Sequence, residues 1–304
     1  MKLATTTGDF GRYASSQEQS IRWIAQSGFR YVDYNFCHDF DRKIGVYTEG
    51  WQAYVERLNR LAQELNIRYV QAHSPMGRPL RSGRGTDYYN AFVEATIRSI
   101  EVCGMMGIDN LVVHSDYKFR LPKDESLRRN REFYYDLLPA AEKWGVNLLI
   151  ENFNKMCVED LYWVDNPYDL LELIEMINHP LCHACWDAGH ANMQELSQDE
   201  ALRVLGQHVR ALHVQDNPGN SDAHVAPFCG SMNLDALMHG LLDIGYKGYF
   251  TFEASSFFSS ASAKRPYEKD QRLRQAPLEL QLMAERMLYE IGRHILSAYD
   301  CFEE

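Results

Sequence analysis

The stretch Cys182–Asn192 reads C-H-A-C-W-D-A-G-H-A-N. It opens as a short apolar strand and closes in a glycine turn that presents Asp187 and His190. Three other strand-like runs end in the same manner: Leu148-Leu149-Ile150-Glu151, Ala211-Leu212-His213 and Tyr249-Phe250-Thr251-Phe252-Glu253. Each delivers a side chain able to hold a metal where an apolar run meets a loop. The four ends predict that Glu151, Asp187, His213 and Glu253 converge on one divalent ion.

Working outward, the same alternation fills the chain. Strands are expected over 2–6, 29–34, 67–72, 111–113, 146–150, 181–186, 209–214 and 248–253. Between them, apolar residues at helical spacing predict helices over 17–26, 51–65, 87–106, 127–144, 167–177, 198–205, 233–244 and 275–296. Several of these stop at a glycine, and Pro167 opens one. Eight strands alternating with eight helices imply a parallel sheet, and eight such units close into a (β/α)8 barrel, the TIM barrel. The expectation is a single domain over 1–304, with 275–304 as final helix and tail. An open doubly wound sheet would want a G-x-G-x-x-G after the first strand, and neither that motif nor a phosphate-binding loop occurs.

In such a barrel the active site forms at the C-terminal strand ends. Strands three to eight end in His73, His114, Glu151, Asp187, His213 and Glu253. Any one alone reads as a hydrogen-bonded strand end, but six in succession of metal-binding type point to a site. Three carboxylates and one imidazole make an oxygen-rich set suited to Mn²⁺, Mg²⁺ or Co²⁺, and also compatible with Zn²⁺. Such a set leaves positions open for two substrate oxygens, so that the ion polarises a carbonyl and holds its neighbouring hydroxyl. Glu151 and Glu253 come from opposite sides of the mouth. One can take a proton beside the carbonyl while the metal stabilises the enediolate, and the other can return one. His73, His114 and His190 are expected to contact the substrate.

The pattern I-E-N at Glu151, W-D-A-G-H-A-N at 186–192, L-H-V-Q-D-N at His213 and F-E-A at Glu253 resembles the xylose isomerase-like TIM barrels. Within them it is most similar to the sugar phosphate isomerase/epimerase group, which includes ketose 3-epimerases and inositol-pathway isomerases and dehydratases. The D-x-G-H-x-N segment is its most specific piece. The resemblance implies Glu151, Asp187, His213 and Glu253 as metal ligands, Glu151 and Glu253 doubling as acid/base, and His190 bonding a substrate oxygen. It implies a sugar isomerase or epimerase, or, by loss of water, a dehydratase. The same superfamily holds the endonuclease IV group, which cuts abasic DNA with three zinc ions. The further positions that group uses are filled here by His73, His114, His190, Asp222 and His224. Against DNA stand the formal charge of −11 and the departing segment S-P-M-G-R-P-L after His73. A barrel that only binds a sugar would not require two opposed bases.

The rest bounds these readings. No run of the 304 residues approaches a membrane span, and the chain enters its first strand without a leader-like block. Seven cysteines without framework spacing imply reduced thiols and a cytoplasmic protein. Cys182 and Cys185 lie three apart on a strand, face opposite ways and read as structural. Trp186 should face the helices. Arg78, Arg81 and Arg84 in the loop after strand three read as an anion grip or as a solvated loop. The basic stretch 255–274 reads as a lid or a partner contact. Tyr34, Phe36, Tyr162 and Trp163 read as sugar-stacking rings or as loop packing. The helical faces are compatible with a homo-oligomer.

Overall fold

A computed structural model describes residues 1–116, 121–154, 163–256 and 276–304. Eight parallel strands run in the order β7-β6-β5-β4-β3-β2-β1-β8: β1 Lys2–Thr6, β2 Tyr31–Asn35, β3 Arg68–His73, β4 Asn110–Val113, β5 Asn147–Glu151, β6 Cys182–Asp187, β7 Val209–His213 and β8 Tyr249–Phe252. A parallel bridge between Val214 and Phe252 brings β7 against β8. The result is a nearly closed (β/α)8 barrel.

Around it lie α1 Gln17–Ile24, α2 Asp39–Arg42, α3 Trp51–Leu65, α4 Pro79–Ser82, α5 Asp87–Met106, α6 Lys123–Trp144, α7 Pro167–Ile177, α8 Ala188–Met193, α9 Gln198–Leu205, α10 Leu234–Asp243 and α11 Leu278–Ala298. The helices expected at 51–65, 87–106, 167–177 and 198–205 have those bounds. Thr86 and Asn166 explain two of the starts, since each side chain accepts a first-turn backbone N–H. Helix α6 begins four residues before the expected 127, because Pro122 leads straight into the acidic first turn of Asp124 and Glu125. The 188–190 turn is itself a helix, α8, with Asp187 as its N-cap accepting from the His190 N–H at 2.6 Å. The stretch 257–274 lies outside the described residues, as does Tyr162.

Period-two alternation splits the interior into two layers. Outward strand residues such as Cys182, Ala184 and Trp186 join the large core beneath the helices. Trp186 is fully buried there and donates its indole N–H to Gln198. Inward residues Val112, Leu149, Cys185 and Ala211 form a separate small cluster inside the barrel. On the β2–β3–β8 side the interior is polar: Gln71 donates to Asp33 at 2.6 Å and Thr251 donates to Gln71 at 3.4 Å.

The last helix closes on β1 and β8 at Gly292. A Cβ there would stand 2.6 Å from Leu3 Cδ2 and 2.7 Å from Phe252 Cε2. Gly292→Ala gains about 1 kcal/mol of helix propensity and loses about 1–3 kcal/mol to overpacking. A net loss of about 1 kcal/mol is expected, seen as a lower urea midpoint at unchanged slope. A raised midpoint would refute this close packing.

Candidate metal and sugar site

Two positions beyond each inward residue, the strand ends project into the barrel mouth. Val112 leads to His114, Leu149 to Glu151, Cys185 to Asp187, Ala211 to His213, Gln71 to His73 and Thr251 to Glu253. The structure thus brings together all six strand-end groups singled out by sequence. Glu151, Asp187 and His213 are at most 1% exposed. With Glu253 they place one ligand atom each within 4.8 Å of one another. Glu151 Oε1 lies 2.9 Å from His213 Nδ1, and Glu253 Oε2 lies 3.7 Å from the same nitrogen.

Three further sets share this mouth under the same geometry: His73, His114 and Glu151; His190, Asp222 and His224; and His73, His213 and Glu253. In the first, Glu151 Oε2 approaches His114 Nε2 at 2.5 Å, and the two Nε2 atoms of His73 and His114 are 3.1 Å apart. In the second, His190 Nε2 and His224 Nε2 stand 3.4 and 3.3 Å from the two oxygens of Asp222.

Four of these imidazoles are anchored by one ring nitrogen and offer the other to the mouth. The Nδ1 atoms of His73, His190 and His224 each lie 2.9 Å from a backbone oxygen, of Ser74, Asn152 and Glu253 respectively. His213 is reversed, with Nε2 3.3 Å from Asp33 Oδ2 and Nδ1 turned to the acids. Such anchoring fixes tautomer and orientation and is typical of metal-holding histidines. Asn152 ties β5 to β6, accepting from the Asp187 N–H at 2.8 Å and donating to its carbonyl at 2.9 Å. Gly189 is required in the D-A-G-H turn because a Cβ there would meet Gln215 at 2.2 Å.

The electrostatics fit a cation. Burial alone would raise the Glu151 carboxyl, but the His213 and His114 imidazoles beside it hold it well below the usual range. Burial pushes Asp187 up to about 7, opposed by His190 and reinforced by Glu151 and Glu253. Asp187 Oδ2 is buried without a hydrogen-bond partner. Three facing carboxylates with one orphaned oxygen leave a place that a divalent ion would satisfy, and the oxygen-rich donor set suits Mn²⁺ or Mg²⁺.

Over the site lies a cavity of about 860 Å³, lined by His73, His114, Glu151, His190 and Glu253 among others, within the range of small-molecule sites. The Phe153 ring packs on it from one side, 5.2 Å from His114 and 4.7 Å from His190 by ring centroids. It follows I-E-N directly, and sequence reading passed over it. Asp33 was also missed, although a charged residue inside the run Y-V-D-Y was a usable signal.

The other expected contacts fall elsewhere. Tyr34 and Phe36 are fully buried core rings, tilted against each other with centroids 4.6 Å apart, and Trp163 donates its indole N–H to the Leu121 carbonyl. Arg84 is paired with Asp136 and Glu132 on α6. None of Arg78, Arg81 and Arg84 lines the cavity.

Among relatives, the chain is 25% identical over 236 residues to the protein MJ1311 of Methanocaldococcus jannaschii, covering 75% of this chain and 79% of that one. It is 29% identical over 123 residues to the fructoselysine 3-epimerase of Escherichia coli O157:H7; the match covers 40% of this chain and spans 44% of that relative's length. The crystal structure of a D-psicose 3-epimerase determined in the presence of D-fructose superposes with a TM-score of 0.73 at 16% identity, over 97% of this chain and 99% of the other, a likeness of fold. No helix among the described residues is long and apolar enough to cross a membrane. Residues 21–276 match the family described as Xylose isomerase-like TIM barrel, and the chain belongs to that family.

Proposed function

We propose that this chain is a divalent-metal-dependent sugar epimerase or isomerase that moves hydrogen on the carbon beside a carbonyl. The observation that carries the reading is the pair of carboxylates, Glu151 and Glu253, facing each other across one imidazole on the cavity floor. The sugar 3-epimerases among its relatives and structural neighbours support the substrate class.

Glu151, Asp187, His213 and Glu253 would hold the ion, which when bound supplies a Lewis acid for a carbonyl and its neighbouring hydroxyl. Glu151, kept ionised by its imidazole neighbours, takes the proton from one face of the carbon. Glu253 serves the other face. His73, His114 and His190 bond substrate oxygens, and Phe153 keeps water from the reacting carbon. Loss of water after the same proton abstraction would make a dehydratase, which product analysis distinguishes. The described cysteines are all free thiols, which suits the cytoplasm.

The filled sets at His73–His114–Glu151 and His190–Asp222–His224 favour a second reading, phosphodiester hydrolysis at abasic DNA with three zincs. The net charge of −11 opposes a DNA partner. Elemental analysis of the purified protein separates the two: one ion per chain is expected, and three zincs would favour the nuclease.

Glu151→Gln and Glu253→Gln should each slow exchange of a substrate C–H with solvent deuterium by about 10²-fold or more. Exchange persisting at the wild-type rate in both would remove these bases from the reaction. Asp33→Ala frees His213 Nε2 and should weaken Mn²⁺ binding about 10–100-fold by direct titration. Unchanged affinity would show that Asp33 does not hold the imidazole.

A further inference from the structure

Asp9 belongs to none of the four metal-competent sets, yet it lines the same cavity. It sits in a short 3-10 turn, Thr7–Phe10, directly after β1, and is 3% exposed. Behind it stands a second buried acid, Glu285 of α11, 2% exposed. One hydroxyl lies between them: Thr5 Oγ1 is 2.9 Å from Asp9 Oδ2 and 2.7 Å from Glu285 Oε1.

A hydroxyl has a single proton to donate. If Thr5 donates to one carboxyl, the other closes its contact only by donating to the Thr5 oxygen, and so must itself be protonated. Both contacts are hydrogen bonds only when the two acids hold one proton between them. The electrostatics agree. Burial pushes Asp9 well above the usual carboxylate range, with Glu285 adding to it, and burial pushes Glu285 up to about 7. The other groups that face Asp9 are Glu253 after β8, His224 from the loop after β7, and Gln281 of α11, whose amide donates to the Asp9 carbonyl at 3.4 Å.

The Asp9 and Glu285 carboxyls also meet directly, while Asp9 Oδ1 is buried without a hydrogen-bond partner. A buried acceptor left bare is unfavourable, and a ligand that supplies a donor removes the penalty. We propose that Asp9 is a specificity-determining residue that accepts a substrate hydroxyl through Oδ1, with Thr5 and Glu285 holding its carboxyl in place. The two acids carry one negative charge, so a phosphate or carboxylate at this end would meet a buried like charge. The subsite therefore takes an uncharged polyol end. This inference rests on the sugar reading of the site.

The test is equilibrium binding of D-fructose and D-psicose to the Mn²⁺-loaded protein, then of monodeoxy analogues of the tighter ketose. Asp9→Ala should weaken the parent ketose about tenfold, about the worth of one hydrogen bond. Asp9→Asn should stay within about threefold of wild type, because its amide N–H can donate to Thr5 while its carbonyl remains an acceptor. One deoxy analogue should bind wild type about tenfold more weakly than the parent and show no such loss against Asp9→Ala. Asp9→Leu, close in size, is measured in parallel so that a folding defect in one variant leaves the other. Equal binding of the parent by wild type, Asp9→Ala and Asp9→Leu overturns the inference, as does a deoxy loss equal in all three. If wild type binds neither ketose, the sugar reading falls and this inference falls with it.

Discussion

Three carboxylates within reach of one another, two of them fully buried, repel unless positive charge lies among them. That constraint, set by Glu151, Asp187 and Glu253 around His213, organises the mouth of the barrel. It explains why the acids are delivered by strand ends rather than by loops. Only a rigid ladder holds like charges this close while leaving an open side for substrate. The cross-strand clamp of Asn152 on Asp187 and the anchoring of four imidazoles serve the same end. Each anchoring bond removes a rotation by which the cluster could relax apart.

The fold was legible because barrel strands obey a strict period of two. Once Leu149, Cys185 and Ala211 face inward, Glu151, Asp187 and His213 must follow them into the mouth. The donors therefore needed no knowledge of tertiary structure beyond the closure of eight units. Asp33 and Asp9 were harder for a physical reason. Neither ends an apolar run: Asp33 acts from inside β2 across the barrel on His213, and Asp9 meets its partner Glu285 from the far end of the chain. Contacts that span 180 residues for Asp33 and His213 and 280 for Thr5 and Glu285 leave no local sign of the partner.

Of the two readings of the aromatics, packing is the one that Tyr34 and Phe36 follow. Tyr34 and Phe36 occupy alternate positions that face the helices, so their rings pack the outer core. The ring at the cavity is instead Phe153, two residues past Glu151 on the inward phase. The period that placed the acids would have placed this ring too, had it been carried past the strand end.

The overlap of the four donor sets bears on the chemistry itself. Glu151 belongs both to the central set and to the one with His73 and His114. A carboxylate shared between two cations has both oxygens committed and is a weak base. One whose second oxygen faces only the His73 and His114 rings keeps a lone pair for a proton. Proton transfer by Glu151 and occupancy of the His73–His114 set by a cation therefore exclude each other. The desolvation that burial imposes on His114 lowers its affinity for a proton, against the pull of Glu151 beside it. On the sugar reading, these two histidines leave the glutamate free to act and supply bonds to substrate oxygens, which gives their presence a use without a second ion.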